Sequence, residues 1–96
     1  MNPGQVVLLD GGNATGSWQK WLGGRAMLVV YGTFDSAVVR LEVSPNGGAT
    51  AIEIDANRSA AYVGAVEIPY GFSVRAKVSS AGAGTVLTAI LTSQVS

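Results

Sequence analysis

The residues able to do chemistry in this 96-residue chain form a short inventory. Cysteine and histidine are both absent. That removes disulfides, thiolate nucleophiles, imidazole metal ligands and every Ser-His or Cys-His relay. Six carboxylates remain, Asp10, Asp35, Glu42, Glu53, Asp55 and Glu67, beside a few Lys, Tyr and hydroxyl side chains. Glycoside hydrolysis would need two of these acids facing each other across a sugar-sized cleft, and a compact domain of this length leaves little room for one. Asp10-Gly11-Gly12-Asn13 and Asp55-Ala56-Asn57 place oxygen ligands in loops, as calcium requires. Neither has EF-hand spacing, and Asp and Asn in loops are ordinary turn formers. Ala81-Gly82-Ala83-Gly84 lacks the Lys-Ser/Thr and the helix of a phosphate loop. The sequence therefore predicts no enzyme, no cofactor and no metal site.

Trp18-Gln19-Lys20-Trp21 is the most informative run. In a strand, residues three apart point to opposite faces, so one ring enters the core and the other faces out. Trp18 shares a face with Leu22, and Trp21 shares one with Ser17 and Gln19, which predicts Trp18 inside and Trp21 outside. An outward ring serves a subunit interface, or a sugar platform with Gln19 and Asn13. If the segment curls, both rings pack on their own domain. The expected contact residues are Trp18, Trp21, Met27, Tyr31 and Tyr62. Gln5–Leu9, next to a chain end, is a further candidate, for adding a strand to a neighbour's sheet.

The elements that must carry these residues are strands. No window repeats apolar residues at helical spacing, and 13 Gly and 3 Pro punctuate the chain. Two-residue alternation is clear. Val39, Leu41 and Val43 share one face against Val38, Arg40, Glu42 and Ser44. Phe72, Val74, Ala76 and Val78 oppose Ser73, Arg75, Lys77 and Ser79; Ile52 and Ile54 oppose Glu53 and Asp55. Ala26–Tyr31 is apolar on both faces, so it is central or meets a partner. The predicted strands are 5–9, 17–22, 25–32, 37–44, 49–55, 62–68, 72–79 and 85–92. Ser44-Pro45-Asn46-Gly47-Gly48 is the strongest turn between them, with Ile68-Pro69-Tyr70-Gly71 and 80–84 next. Eight short strands so spaced predict one all-β domain over residues 1–96, an antiparallel β-sandwich of jelly-roll or immunoglobulin-like type. Residues 1–4 and 93–96 are expected as frayed ends or arms. Arg40 and Glu53 are expected to pair across the 36–44/49–55 hairpin.

Composition narrows the partners. Six Lys+Arg balance six Asp+Glu, and charged residues are 12% of the chain, about half the usual share. No basic patch for nucleic acid can be assembled from them. No run approaches the roughly 20 apolar residues of a spanning helix, and no signal-peptide pattern opens the sequence. A small neutral domain tends to self-associate, so part of the surface is expected under other protein.

Gly16-Ser17-Trp18, then Gly23-Gly24-Arg25-Ala26-Met27-Leu28-Val29-Val30, then Gly32-Thr33-Phe34-Asp35 through Ser44-Pro45-Asn46-Gly47-Gly48, resemble a group of small tailed-bacteriophage virion proteins. Gly71-Phe72-Ser73-Val74-Arg75 and the Val/Thr/Ala-rich strand that ends at Thr92 continue the likeness over most of 16–92. The aromatic that often follows the hairpin turn in that group is missing from Gly48-Ala49-Thr50-Ala51. The resemblance implies a virion structural protein made in the host cytoplasm, with a capsid decoration (cement) protein the leading expectation. It would bind the major capsid protein as a homo-oligomer; a trimer is expected from the threefold positions of capsid lattices. The other expectation is a carbohydrate-binding or tail- or head-fibre adhesion module, for which a glycan would be the partner.

Overall fold

The computed structural model describes residues 5–21, 24–69 and 71–93, so the expected arm at 1–4, residues 94–96 of the arm expected at 93–96, and Leu22, Gly23 and Tyr70 lie outside the described residues, whereas Ser93 of that arm lies in the last strand and pairs with Ala26. The chain is all-β, with eight strands: β1 (Gln5–Gly12), β2 (Gln19–Lys20), β3 (Gly24–Thr33), β4 (Val38–Ser44), β5 (Ile52–Arg58), β6 (Tyr62–Ile68), β7 (Ser73–Ser79) and β8 (Val86–Ser93). Each lies where alternation placed a strand. The largest displacement is β5, which starts three residues late. Side chains hold the turn before it. Ser44 Oγ accepts the N–H groups of Asn46 and Gly48 at 3.3 and 2.8 Å, and Asn46 Oδ1 accepts that of Thr50 at 2.8 Å. With those donors satisfied locally, the ladder resumes only at Ile52.

Two four-stranded antiparallel sheets pack on one another, in the orders β1-β8-β3-β6 and β2-β7-β4-β5. First pairs with last, second with seventh, third with sixth and fourth with fifth. The chain is thus one long hairpin, rolled so that its inner and outer arms alternate between sheets.

Ala26, Leu28 and Val30 of β3, Val39, Leu41 and Val43 of β4, Val74 and Ala76 of β7 and Leu87, Ala89 and Leu91 of β8 form the core between the sheets. Leu8 and Leu9 are adjacent yet both buried, because the register slips between Val7 and Leu9. Such a bulge sets two residues against one on the partner strand. Asp35 and Ser36, in the β3–β4 turn, have φ of 45° and 74°. The β7–β8 turn holds them there. Gly84 N–H donates to Asp35 Oδ2 at 2.7 Å, and Thr85 Oγ1 donates to the Phe34 carbonyl at 2.8 Å.

Candidate interaction surface

Cross-strand partners share a face, and this gives the outer face of the β1-β8-β3-β6 sheet directly. Val7, Ile90, Val29 and Val63 stand in one row across all four strands. Thr92, Met27 and Ala65 flank that row on one side. On the other side are Asp10, Thr88 and Tyr31. Val7 is 46% exposed, Tyr31 48% and Val63 63%. The face's charges lie away from the row: Arg25 beside Glu67 towards one end, Asp10 towards the other. A contiguous exposed apolar patch on a small domain marks a contact site.

The opposite outer face, on β2-β7-β4-β5, is built from charge. Lys20, Arg40, Glu42, Glu53, Arg75 and Lys77 share it, six of the twelve charged residues in the chain. Glu42 and Glu53 are directly opposed, an arrangement that repels unless cations intervene. Arg75 Nε donates to Glu42 Oε1 at 2.7 Å, and Lys77 Nζ and Arg40 Nη1 approach Glu53 at 3.1 and 3.5 Å. The expected Arg40–Glu53 pair is therefore present. Glu42, although on the strand face opposite the core aliphatics, is buried under Arg75, whose guanidinium carbon lies 4.5 Å from the centroid of the Trp18 ring.

The two tryptophans do take opposite faces, but in the reverse sense to the sequence expectation. Trp21 is 4% exposed and belongs to the core; Trp18 is half-buried on the charged face. Gln19 pairs with buried Val74 and so shares the core-facing side, yet remains exposed because β2 is the outermost strand of its sheet. Its polarity misdirected the assignment of faces. With its ring in the core, Trp21 offers no contact surface, and no sugar platform forms from Trp21, Gln19 and Asn13. The remaining expected contact residues separate. Met27 and Tyr31 share the apolar outer face. Tyr62 pairs with buried Val30, so it lies on the core side, under the Arg58 guanidinium at 3.4 Å. Gln5–Leu9 already pairs with β8 inside its own sheet. Val7, Val63 and Ile90, which share this face, were not singled out by side chain in the sequence. The signal was available in Val63-Gly64-Ala65-Val66, where both strand faces are apolar or bare.

Compared with known proteins, the chain matches no family model, no curated protein and no solved structure.

Proposed function

We propose that this chain is a non-enzymatic structural module that attaches to a larger protein assembly through the apolar outer face of the β1-β8-β3-β6 sheet. The carrying observation is the row Val7–Ile90–Val29–Val63 with Met27 and Tyr31 beside it, on a domain whose charge lies mostly on the other sheet. The rolled-hairpin strand order supports assignment to the jelly-roll class, eight strands in two sheets, which recurs in viral coats and lectins. Fold-level analogy of this kind does not by itself assign function. The resemblance of residues 16–92 to small phage virion proteins points the reading towards a capsid decoration protein, docked as an oligomer on the major capsid protein and localised to the virion.

Mechanistically, attachment is burial of apolar surface at about 25 cal/mol per Å², offset by the ordering cost of association. Several copies on one particle then slow release. The test is co-sedimentation of the purified chain with phage heads lacking it. Tyr31→Asp and Val7→Asp place a charge in the face at exposed positions. Both variants should fold as the parent does and lose at least tenfold in head affinity, about 1.4 kcal/mol. Unchanged binding by both variants overturns the docking face, and absence of parent binding to heads overturns the capsid reading.

A further inference from the structure

Each sheet of an open two-sheet fold has two edges, and natural proteins blunt edges with bulges, short strands or charge. Three of the four edges here are blunted. Edge strand β1 carries two register shifts against β8. β2 is two residues long and includes Lys20. β5 is irregular between Val39 and Leu41 of its partner and contains Glu53, Asp55 and Arg58. β6 has none of these devices. It pairs with β3 over seven consecutive residues without a register shift. Its one charge is Glu67, near its C-terminal end. Its other side has no strand beside it among the described residues.

We infer that β6 is a self-pairing edge: two copies of this chain join antiparallel through β6 about a two-fold axis at Gly64, making one continuous eight-stranded sheet. Glu67 selects the orientation, and the uncharged run Tyr62–Val66 on a chain of zero net charge selects a second copy as the occupant. Antiparallel self-pairing keeps the two Glu67 carboxylates apart, whereas parallel in-register pairing would set them side by side, an arrangement that repels. In the register centred on Gly64, Val63 stands opposite the partner's Ala65, and Tyr62 opposite the partner's Val66. The two Glu67 residues are then about 20 Å apart, from six residues at about 3.3 Å each. Gly64 suits the axis. A side chain there would collide with the Tyr62 ring, which lies over the glycine on the core side. This ring shields the bare backbone, as aromatic residues do for edge glycines. On the outer face the apolar row continues through Val63 into the partner's Ala65 and the partner's Met27, so that two rows run side by side across the axis. The inference is independent of the capsid reading; it requires only the free β6 edge. Being two-fold, the contact gives even-numbered assemblies in place of a trimer.

The chain has no cysteine of its own, so engineered thiols report the pairing without background. Val63→Cys and Ala65→Cys lie at exposed positions and should leave the fold intact. Directly opposed residues have Cβ atoms about 4.5–5.5 Å apart, close to disulfide reach. Mixed Val63→Cys and Ala65→Cys chains should form a covalent dimer on mild oxidation. The rate should exceed that of Val7→Cys, on the opposite edge, on the order of a hundredfold, reflecting millimolar effective concentration within a complex against micromolar encounter. Sedimentation of the parent should give a dimer, and Val63→Lys, which charges the edge, should return it to 9.8 kDa monomer. Three results each overturn the pairing: a trimer in sedimentation, a Val7→Cys rate equal to that of the mixture, or crosslinking of Ala65→Cys alone as fast as the mixture. Loss of head binding by Tyr31→Asp with the dimer retained would separate this edge from the docking face.

Discussion

Replacing Trp21 with alanine is the sharpest test of the packing argument, because the face expected from sequence and the face observed give opposite orders for the two tryptophans. Trp21 is 4% exposed and sits in the core cluster. A buried aromatic removes about 150–250 Å² from water, which at about 25 cal/mol per Å² is about 4–6 kcal/mol. The extended-chain reference makes that an upper bound, and Trp→Ala substitutions in cores cost about 3–5 kcal/mol. A domain of 96 residues has about 5–14 kcal/mol in total, so Trp21→Ala should remove about a fifth of it or more. Trp18 is half-buried. Its loss forfeits a cation–π contact with Arg75 worth about 0.5–1 kcal/mol, together with some packing, for a total of about 1–2 kcal/mol. Thermal unfolding should place Trp21→Ala on the order of 10–20 °C below Trp18→Ala, at about 4–8 °C per kcal/mol. Trp21→Phe separates ring burial from the indole nitrogen. Trp21 Nε1 is buried with no hydrogen-bond partner among the described residues, and such a group costs about 1–3 kcal/mol. Removing it offsets part of the lost ring, so Trp21→Phe should lie within about 2 kcal/mol of the parent. Fluorescence adds a second readout: with Trp18 replaced, the remaining emission should be blue-shifted. A Trp18→Ala variant less stable than Trp21→Ala, or red-shifted emission from Trp21, refutes the packing argument.

Two other substitutions probe the devices that hold turns in place. Gly48 has φ of +108°, and a Cβ there would approach Trp18 Cδ1 and Nε1 to 2.7 Å; Gly48→Ala should cost about 1–3 kcal/mol, and combining it with Trp18→Ala should recover the steric part in a double-mutant cycle of denaturant midpoints. Asp35→Ala removes the acceptor for the Gly84 N–H and leaves a residue less suited to positive φ; it should cost about 1–3 kcal/mol and speed hydrogen exchange at residues 82–85, where a change below 0.5 kcal/mol would show that the clasp between the two turns is idle.

The strands were legible because one rule generates them. β3, β4, β7 and β8 each set buried aliphatics on an inner face at period two, whereas β1 breaks the period at its bulge and Ile52 of β5 is exposed despite its alternation. The β4 pattern Val39, Leu41, Val43 and the β7 pattern Val74, Ala76 could hardly be read otherwise. The Ser44-Pro45-Asn46-Gly47-Gly48 turn was legible for the same local reason, although its reach to Thr50 was not. That extension depends on which backbone N–H donors Ser44 Oγ and Asn46 Oδ1 accept, which spacing does not specify. Beyond the β4–β5 hairpin, which the Ser44–Gly48 turn announces, strand order was not legible, since local alternation carries no information on which strand sits beside which. The tryptophan error has the same origin. Polarity reports burial only in the middle of a sheet, and Gln19 on a two-residue edge strand can share the core-facing side and still be wet.

Once order is known, the outer faces follow from register alone, and their asymmetry explains the composition. A chain with 12% charged residues cannot coat two sheets with charge. Six of its charges cluster on one sheet, where Arg40, Lys77 and Arg75 neutralise the opposed Glu42 and Glu53. This network fixes the face around Trp18 but leaves few charges for the other sheet. That second sheet therefore has β-branched residues at its centre and Arg25, Glu67 and Asp10 away from the central row. Exposed surface of that kind favours contact with other protein over solvation. The β6 edge lies at the border of this face, and Val63 belongs to both. A charge at Val63 should therefore weaken edge pairing and face docking together, whereas a charge at Val7, on the opposite edge, should weaken docking alone.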